Sequence, residues 1–464
     1  MRRSRLPRRN FLLGSIASSL GLVSAGRLMP AIPFAWADEA ATTGLKDRYY
    51  IFAYFGGGWD MLLSLDPRDP TIFTNEMLED TRIQPAYENL NPGLDQPLID
   101  TVLGPVGHFM GDLATQHADK IAIVRGLNME TLSHDGGRKR FLTGKAPIGT
   151  QARGSSASTW LASLLGKGEI VPNLVSRVQA FNADQPPYAS GLRVDTIADL
   201  LRALKPSATN LDPLVQDRIE ELLLQAATCP DTEASTFLQN AEVARLKASE
   251  MVSGNVASNF DFQADTPAMV ALREHYGLSN ANALDSPQAR AALAARAIMS
   301  GVSRCVSVSV AGGGLDTHSG DGWEREQGPR QMVGFNAIAR MVEDLAATPY
   351  GDSGESWLDH TSILAFSEFS RTPMINSNGG RDHWLGNSCM VLGPDIKGGT
   401  VVGASSDVGM QPQPIDLNSG LVDLNEGVSI NPEHVLQTLL VGAGVTGDPA
   451  DLRVGAIPAL LKGA

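Results

Sequence analysis

Arg48-Tyr-Tyr-Ile-Phe-Ala-Tyr-Phe55 runs without a break into Gly56-Gly57-Gly58. Every position after Arg48 is apolar or aromatic, so neither alternating face is left for water. That pattern belongs to a strand covered on both sides, ending in a tight loop. Working outward, Lys120–Arg125 (KIAIVR) and Cys305–Val310 (CVSVSV) repeat it, the second breaking at Gly312-Gly313-Gly314. Thr361–Phe366 is another such run and stops at Ser367-Glu368; Cys389–Leu392 and Thr400–Val402 are shorter ones. Helical patterns lie between them. One carries His108 and His117, one covers Arg330–Leu345, and Ile430-Asn431-Pro432 opens a last one through His434 to Leu440. The alternation predicts an α/β fold, a three-layer α/β/α arrangement with a mainly parallel central sheet. Residues 195–300 are mostly helical in pattern, with Ser286 as an N-cap and Pro287 at the first helical position, and predict a helical insertion within one domain at 47–464.

The amino-terminal segment has a different character. Arg2, Arg3, Arg5, Arg8 and Arg9 precede an apolar stretch from Phe11 to Val23, and Ala35-Trp36-Ala37 offers a small-x-small cleavage site. Arg8-Arg9-Asn10-Phe11-Leu12-Leu13 reads as a twin-arginine address. Residues 1–37 are therefore expected to be a signal peptide, 38–46 a flexible leader, and the twin-arginine translocase a partner during export to the periplasm or beyond. The apolar run is too short to anchor the chain, and no later run is long enough to form a stable membrane span.

Composition narrows the function. Hydrophobic residues make up 43% and charged residues 19%, as in ordinary globular proteins. Without the six signal arginines, 31 basic residues face 51 acidic ones, a formal charge of −20. That balance argues against nucleic acid as a partner. The three cysteines, Cys229, Cys305 and Cys389, form neither a metal-type spacing nor a disulfide framework. No CxxC and no GxGxxG after the first strand supports a redox role.

In such folds ligands bind outside the carboxyl ends of the strands. Asp60 follows the first strand, Asp316-Thr317-His318 the Cys305–Val310 strand and Glu368 the Thr361–Phe366 strand, while Asp382-His383 precedes the strand at Cys389. Carboxylates and imidazoles gathered there suit one or two divalent ions, Zn or Mn before Ca or Mg. Two ions about 4 Å apart could clamp the oxygens of a displacement at phosphorus or sulfur. His108, His117, His275, His360 and His434 have no partner at ligand spacing and are read as structural.

Five blocks and a tail occur in a familiar order: GGGWD (56–60), Ser133-His134 with Thr143-Gly144 ten residues on, GGGLDTH (312–318), AFSEFSRTP (365–373), GGRDHW (379–384) and VSINPEHVLQTLLVGAGV (428–445). Together they resemble the exported bacterial family called domain of unknown function 1501, a branch of the alkaline phosphatase and sulfatase superfamily, from about Tyr49 to about Leu460. The resemblance implies one metal held by Asp60 and a second held by Asp316, His318 and His383. It further implies that Glu368 replaces an Asp ligand, with Phe369 where a His is usual. In the nucleophile region Arg138, Thr143 and Gly144 stay in register, but the nucleophile slot holds His134, with Ser133 one residue away. The implied activity is hydrolysis of a phosphate or sulfate ester, with Arg138 steadying the anionic group and His134 as ligand, base or phosphorylated nucleophile. The other reading is a binding or scaffolding protein that has lost turnover.

Overall fold

A computed structural model describes residues 44–204, 212–227, 256–278 and 285–463, with isolated positions between 235 and 246. The expected signal at 1–37, most of the leader, Cys229 and much of the 228–255 stretch lie outside the described residues.

The strands are β1 (Tyr49–Tyr54), β2 (Leu98–Thr101), β3 (Gly104–Gly107), β4 (Ile121–Asn128), β5 (Asn173–Ser176), β6 (Leu192–Val194), β7 (Cys305–Ser309), β8 (Thr361–Phe366), β9 (Ser370–Arg371), β10 (His383–Trp384), β11 (Gly386–Leu392) and β12 (Thr400–Val402). Eight of them form one sheet in the order β12-β4-β11-β8-β1-β7-β5-β6. Every neighbouring pair is parallel except those of β11, which runs against both β4 and β8. The helices that cover the sheet or shape its edge are α1 (Gly111–His117), α2 (His134–Thr143), α3 (Ala157–Leu165), α4 (Ile197–Leu204), α5 (Pro267–Tyr276), α6 (Pro287–Met299), α7 (Gly328–Ala347) and α8 (Pro432–Gly442).

β1 shows why its sequence is apolar throughout. Tyr49, Ile51, Ala53 and Phe55 enter one core with residues of α1, α6 and α7, such as Leu113, Ile298 and Phe335. Tyr50, Phe52 and Tyr54 enter a second core with Phe141 of α2, Leu161 of α3 and Leu436 of α8. Alternate side chains thus feed opposite layers, each removed from water. α6, the last helix of the 195–300 stretch, begins as its sequence indicates: Ser286 Oγ accepts from Ala289 N at 3.2 Å, with Pro287 at the first position. Its residues Ala291–Ala295 are fully buried and belong to the first core, so this helix is part of a covering layer. Cys305 and Cys389 are buried and unpaired, small residues of the sheet interior. No helix of the described residues is long and apolar enough to cross a membrane.

Register positions the functional edge. Tyr54 lies opposite both Phe366 and Ser309, so β1, β7 and β8 end level. The loops beyond stay knitted together, with Leu315 N donating to Gly56 O at 3.0 Å. Gly57 is obligatory here: its φ is +112°, and a Cβ would sit 2.4 Å from Leu315 N. Gly137 of α2 lets that helix close on the same edge, because a Cβ would lie 2.2 Å from Glu368 O. The reversal of β11 completes the arrangement. Its first residue, Gly386, pairs with Asn128, the last of β4. Residues just before β11 therefore arrive at an edge otherwise made of carboxyl ends.

Candidate metal centre

Four side chains from three segments meet at that edge. His134 is the first residue of α2, Asp316 and His318 follow β7, and His383 opens β10. Asp316 Oδ1 lies 3.3 Å from His134 Nε2, 3.0 Å from His318 Nε2 and 3.5 Å from His383 Nε2. The Nε2 atoms of His318 and His383 are 3.1 Å apart. Donor atoms of His134, Asp316 and His383 all fall within 4.8 Å of one another.

The far nitrogen of each ring is tied down. His134 Nδ1 donates to Glu368 Oε1 at 2.8 Å, His318 Nδ1 to Asp382 Oδ1 at 2.7 Å and His383 Nδ1 to the Leu132 carbonyl at 2.7 Å. Carboxylates and carbonyls only accept, so each Nδ1 carries a proton, and a ring without a second proton offers its Nε2 lone pair to the centre. Two lone pairs 3.1 Å apart repel unless a proton or cation lies between them. His134 Nε2, moreover, is buried and makes no hydrogen bond. Both features suit a cation site.

Arg371 is fully buried beneath the cluster. Its Nη2 donates to Asp316 Oδ1 at 2.7 Å and to the Gly57 carbonyl, its Nε to Gly58 O at 2.9 Å, and its Nη1 lies 3.3 Å from His318 Nε2. Burial alone would raise the Asp316 pKa, but the Arg371 guanidinium, helped by His134 and His318, outweighs it and holds the carboxyl at about 2. Burial also acts to raise Glu368, and the hydrogen bond from His134 leads the contacts that hold it below its ordinary value. The same bond raises His134 above the ordinary imidazole value, against its burial. His383 moves the other way, lowered chiefly by burial. Asp382 is lowered by its bond from His318. The buried Phe369 ring forms a floor, with centroids 4.7 Å from His134 and 4.3 Å from His383.

Several residues singled out in the sequence stand elsewhere than expected. Glu368 and Asp382 stand behind the imidazoles as their anchors. Glu368 Oε1 also accepts from Gly57 N, its Oε2 accepts from Ser367 Oγ, and Asp382 Oδ1 accepts from Asn376 Nδ2 as well. Asp60 is committed to a separate buried pair: its Oδ2 is 3.0 Å from Arg381 Nε and accepts from Trp323 Nε1, while Oδ1 accepts from Leu62 N. Both oxygens of Asp60 are thus already engaged within the protein. Ser133 caps α2, its Oγ accepting from Gly136 N at 3.3 Å. Arg138 turns to Gln179 and Asp135 rather than to the centre. Sequence reasoning passed over Arg371 and the Leu132 carbonyl. Arg371 lies in the Ser-Arg-Thr-Pro run just past a strand end and carried a usable signal; a backbone carbonyl carries none.

Comparison with known proteins adds little beyond the family. No curated protein matches the chain. Among solved structures it is similar to Ps i-CgsB in complex with k-i-k-neocarrahexaose, at 10% identity and a TM-score of 0.38, over 89% of this chain and 76% of that one. A second Ps i-CgsB structure gives 9% identity and 0.37 over the same shares. Likenesses this faint carry no argument about this chain. A family model matches residues 105–440, a range that contains His134, Asp316, His318, Glu368, Arg371, Asp382 and His383. The chain thus belongs to the family described as Protein of unknown function (DUF1501).

Proposed function

We propose that this chain is an exported, metal-dependent hydrolase of the alkaline phosphatase and sulfatase kind, acting on a phosphate or sulfate ester. One observation carries the reading: His134, Asp316 and His383 bring two imidazole nitrogens and a carboxylate oxygen within 4.8 Å of one another, His318 Nε2 lies 3.0 Å from the same Asp316 oxygen, and each ring is fixed from behind through its Nδ1. Imidazole nitrogens beside a carboxylate oxygen favour Zn, then Mn, over Ca or Mg, which prefer oxygen alone. When bound, such a cation supplies Lewis acidity, withdrawing charge from the phosphoryl or sulfuryl oxygens and making water acidic enough to attack near neutral pH.

The chain's own groups do the rest. Glu368, Asp382 and the Leu132 carbonyl keep the three rings aimed. Arg371 keeps Asp316 ionised and clamps the Gly57-Gly58 turn beneath it. The side chains of Asp316 and His318 are 51% and 43% exposed, so an ester can reach the centre from solvent. In the reaction the bond from phosphorus or sulfur to the ester oxygen breaks, a bond to the water oxygen forms, and one water proton ends on the departing alcohol.

The test is elemental analysis of the full chain, with turnover of p-nitrophenyl phosphate and sulfate across a metal panel. About one ion per chain and a rate lost in His134→Ala support the reading; no metal and no turnover dispose of it. A second reading, a ligand-binding protein without turnover, draws on Ser133 Oγ being spent as a helix cap beside a histidine in the nucleophile slot. It expects His134→Ala to leave ligand binding largely intact.

A further inference from the structure

We infer that Arg177 and Arg290, which take no part in the centre above, form a second site that holds a phosphate or sulfate oxyanion at the carboxyl ends of β5 and β7. The inference does not depend on the hydrolase reading. Among the described residues six arginines are at least nine-tenths buried. Five of them face a carboxylate: Arg68 has Asp66 at 2.7 Å, Arg140 has Glu433 at 3.1 Å, Arg304 has Asp47 at 2.6 Å, Arg371 has Asp316 at 2.7 Å and Arg381 has Asp60 at 3.0 Å. Arg290 is the sixth, 7% exposed, and makes no ion pair among the described residues. Its Nε donates to Ser309 O at 2.6 Å and its Nη1 to Asp285 O, both backbone carbonyls. Its Nη2 makes no hydrogen bond among the described residues.

Arg177 brings a like charge to the same place. Ser176 pairs with Val308, so Arg177 comes level with Ser309, whose carbonyl holds Arg290. Arg177 is exposed, its Nε donates to Asp195 O at 3.0 Å, and it too makes no ion pair among the described residues. Its φ is +56°, a left-handed conformation that costs energy in any residue but glycine. Burial first and the Arg177 charge next push the Arg290 pKa down to about 10, against a smaller pull from Asp285. The Asp195 carboxylate is turned to Arg193 at 3.2 Å. A buried charge whose strongest charged neighbour has the same sign is costly while the site is empty. An oxyanion supplies the missing counter-charge, and guanidinium groups match its oxygens with paired N–H donors. The place agrees, since ligands of such sheets bind at the carboxyl ends of the strands.

The test is calorimetric titration of inorganic phosphate and inorganic sulfate into the full chain and into His134→Ala, at an ionic strength fixed with chloride. Binding of at least one oxyanion is expected in both proteins, because the site uses no residue of the centre. In the His134→Ala background, Arg177→Gln and Arg290→Met are each expected to weaken it about tenfold or more, as loss of a charge-assisted hydrogen bond does. Arg177 is exposed, so Arg177→Gln decides the matter if Arg290→Met fails to fold. Phenyl phosphate as a further probe distinguishes the sources: binding as tight as that of the free ion assigns the oxyanion to a group on a larger molecule, and its exclusion assigns the free ion. No binding of either ion to His134→Ala, or an affinity within twofold in Arg177→Gln, overturns the inference. Turnover of p-nitrophenyl esters bears on the hydrolase alone, so the two proposals fail separately.

Discussion

Glu368→Gln isolates the anchoring of His134 from everything else at the centre. Glu368 is 1% exposed, and its Oε1 accepts from both His134 Nδ1 and Gly57 N at 2.8 Å. Glutamine has the same shape, and its amide oxygen can accept both bonds, so the backbone turn stays closed. What is lost is the charge. A hydrogen bond to an ionised group contributes about 1.5–3 kcal/mol and a neutral one about 0.5–1.5, a difference of about 1–1.5 kcal/mol. That corresponds to roughly five- to tenfold, near the lower end of the 10–100-fold typical for groups behind a metal ligand. The expected result is zinc affinity about tenfold weaker in a chelator-competition titration, with the melting temperature almost unchanged. An affinity within twofold of the unsubstituted chain, in protein that melts normally, would refute the claim that Glu368 aims His134 at a cation.

Asp60→Asn tests the opposite assignment: it strips the buried Arg381 guanidinium of its counter-charge and should cost about 3–5 kcal/mol of stability in urea unfolding, with zinc affinity of the folded protein retained. Gly57→Ala places a methyl 2.4 Å from Leu315 N at a φ of +112°; a loss of about 1–3 kcal/mol is expected from the backbone strain alone, and an unchanged thermal melt would show that the turn relaxes freely. His434 supplies a pH dependence. Its pKa is lowered below 6.5 chiefly by burial, and its Nδ1 accepts from Asn431 N at the head of α8. Because the folded state favours the neutral ring, the stabilisation is present above about pH 6.5 and lost as pH falls through the lower folded value. His434→Gln, which keeps a capping side chain, should flatten the stability profile between pH 7.5 and 5; a profile equally steep in the variant assigns the effect to other groups.

Elements buried on both faces were plain in the sequence, because double coverage leaves a continuous apolar run. β1, β4, β7 and β8 all announce themselves in this way. β5 and β6 do not: Asn173–Ser176 and Leu192–Val194 are short and mixed, and their strand character comes from pairing beside β7. The antiparallel course of β11 is also invisible locally, since strand direction is a property of connections. At the centre, residue type and strand-end position pointed to Asp316, His318 and His383, and the family resemblance to His134. They could not separate a ligand from the group behind it. Glu368 and Asp382 have ligand chemistry and ligand placement along the chain, and only the direction of their oxygens shows them turned towards imidazole Nδ1 atoms. The pairing of Asp60 was hidden for a related reason, because its partner Arg381 lies 321 positions downstream and is fully buried.

The insertion of β11 between β4 and β8 has a consequence for the order of assembly. Without that strand the sheet is two pieces, β12-β4 on one side and β8-β1-β7-β5-β6 on the other, each with a bare edge. The same stretch of chain delivers His383, whose bond to Leu132 spans 251 positions. Joining the halves and placing the last imidazole therefore depend on the same stretch of chain. A nascent chain halted before His383 has neither, however well its earlier strands have settled.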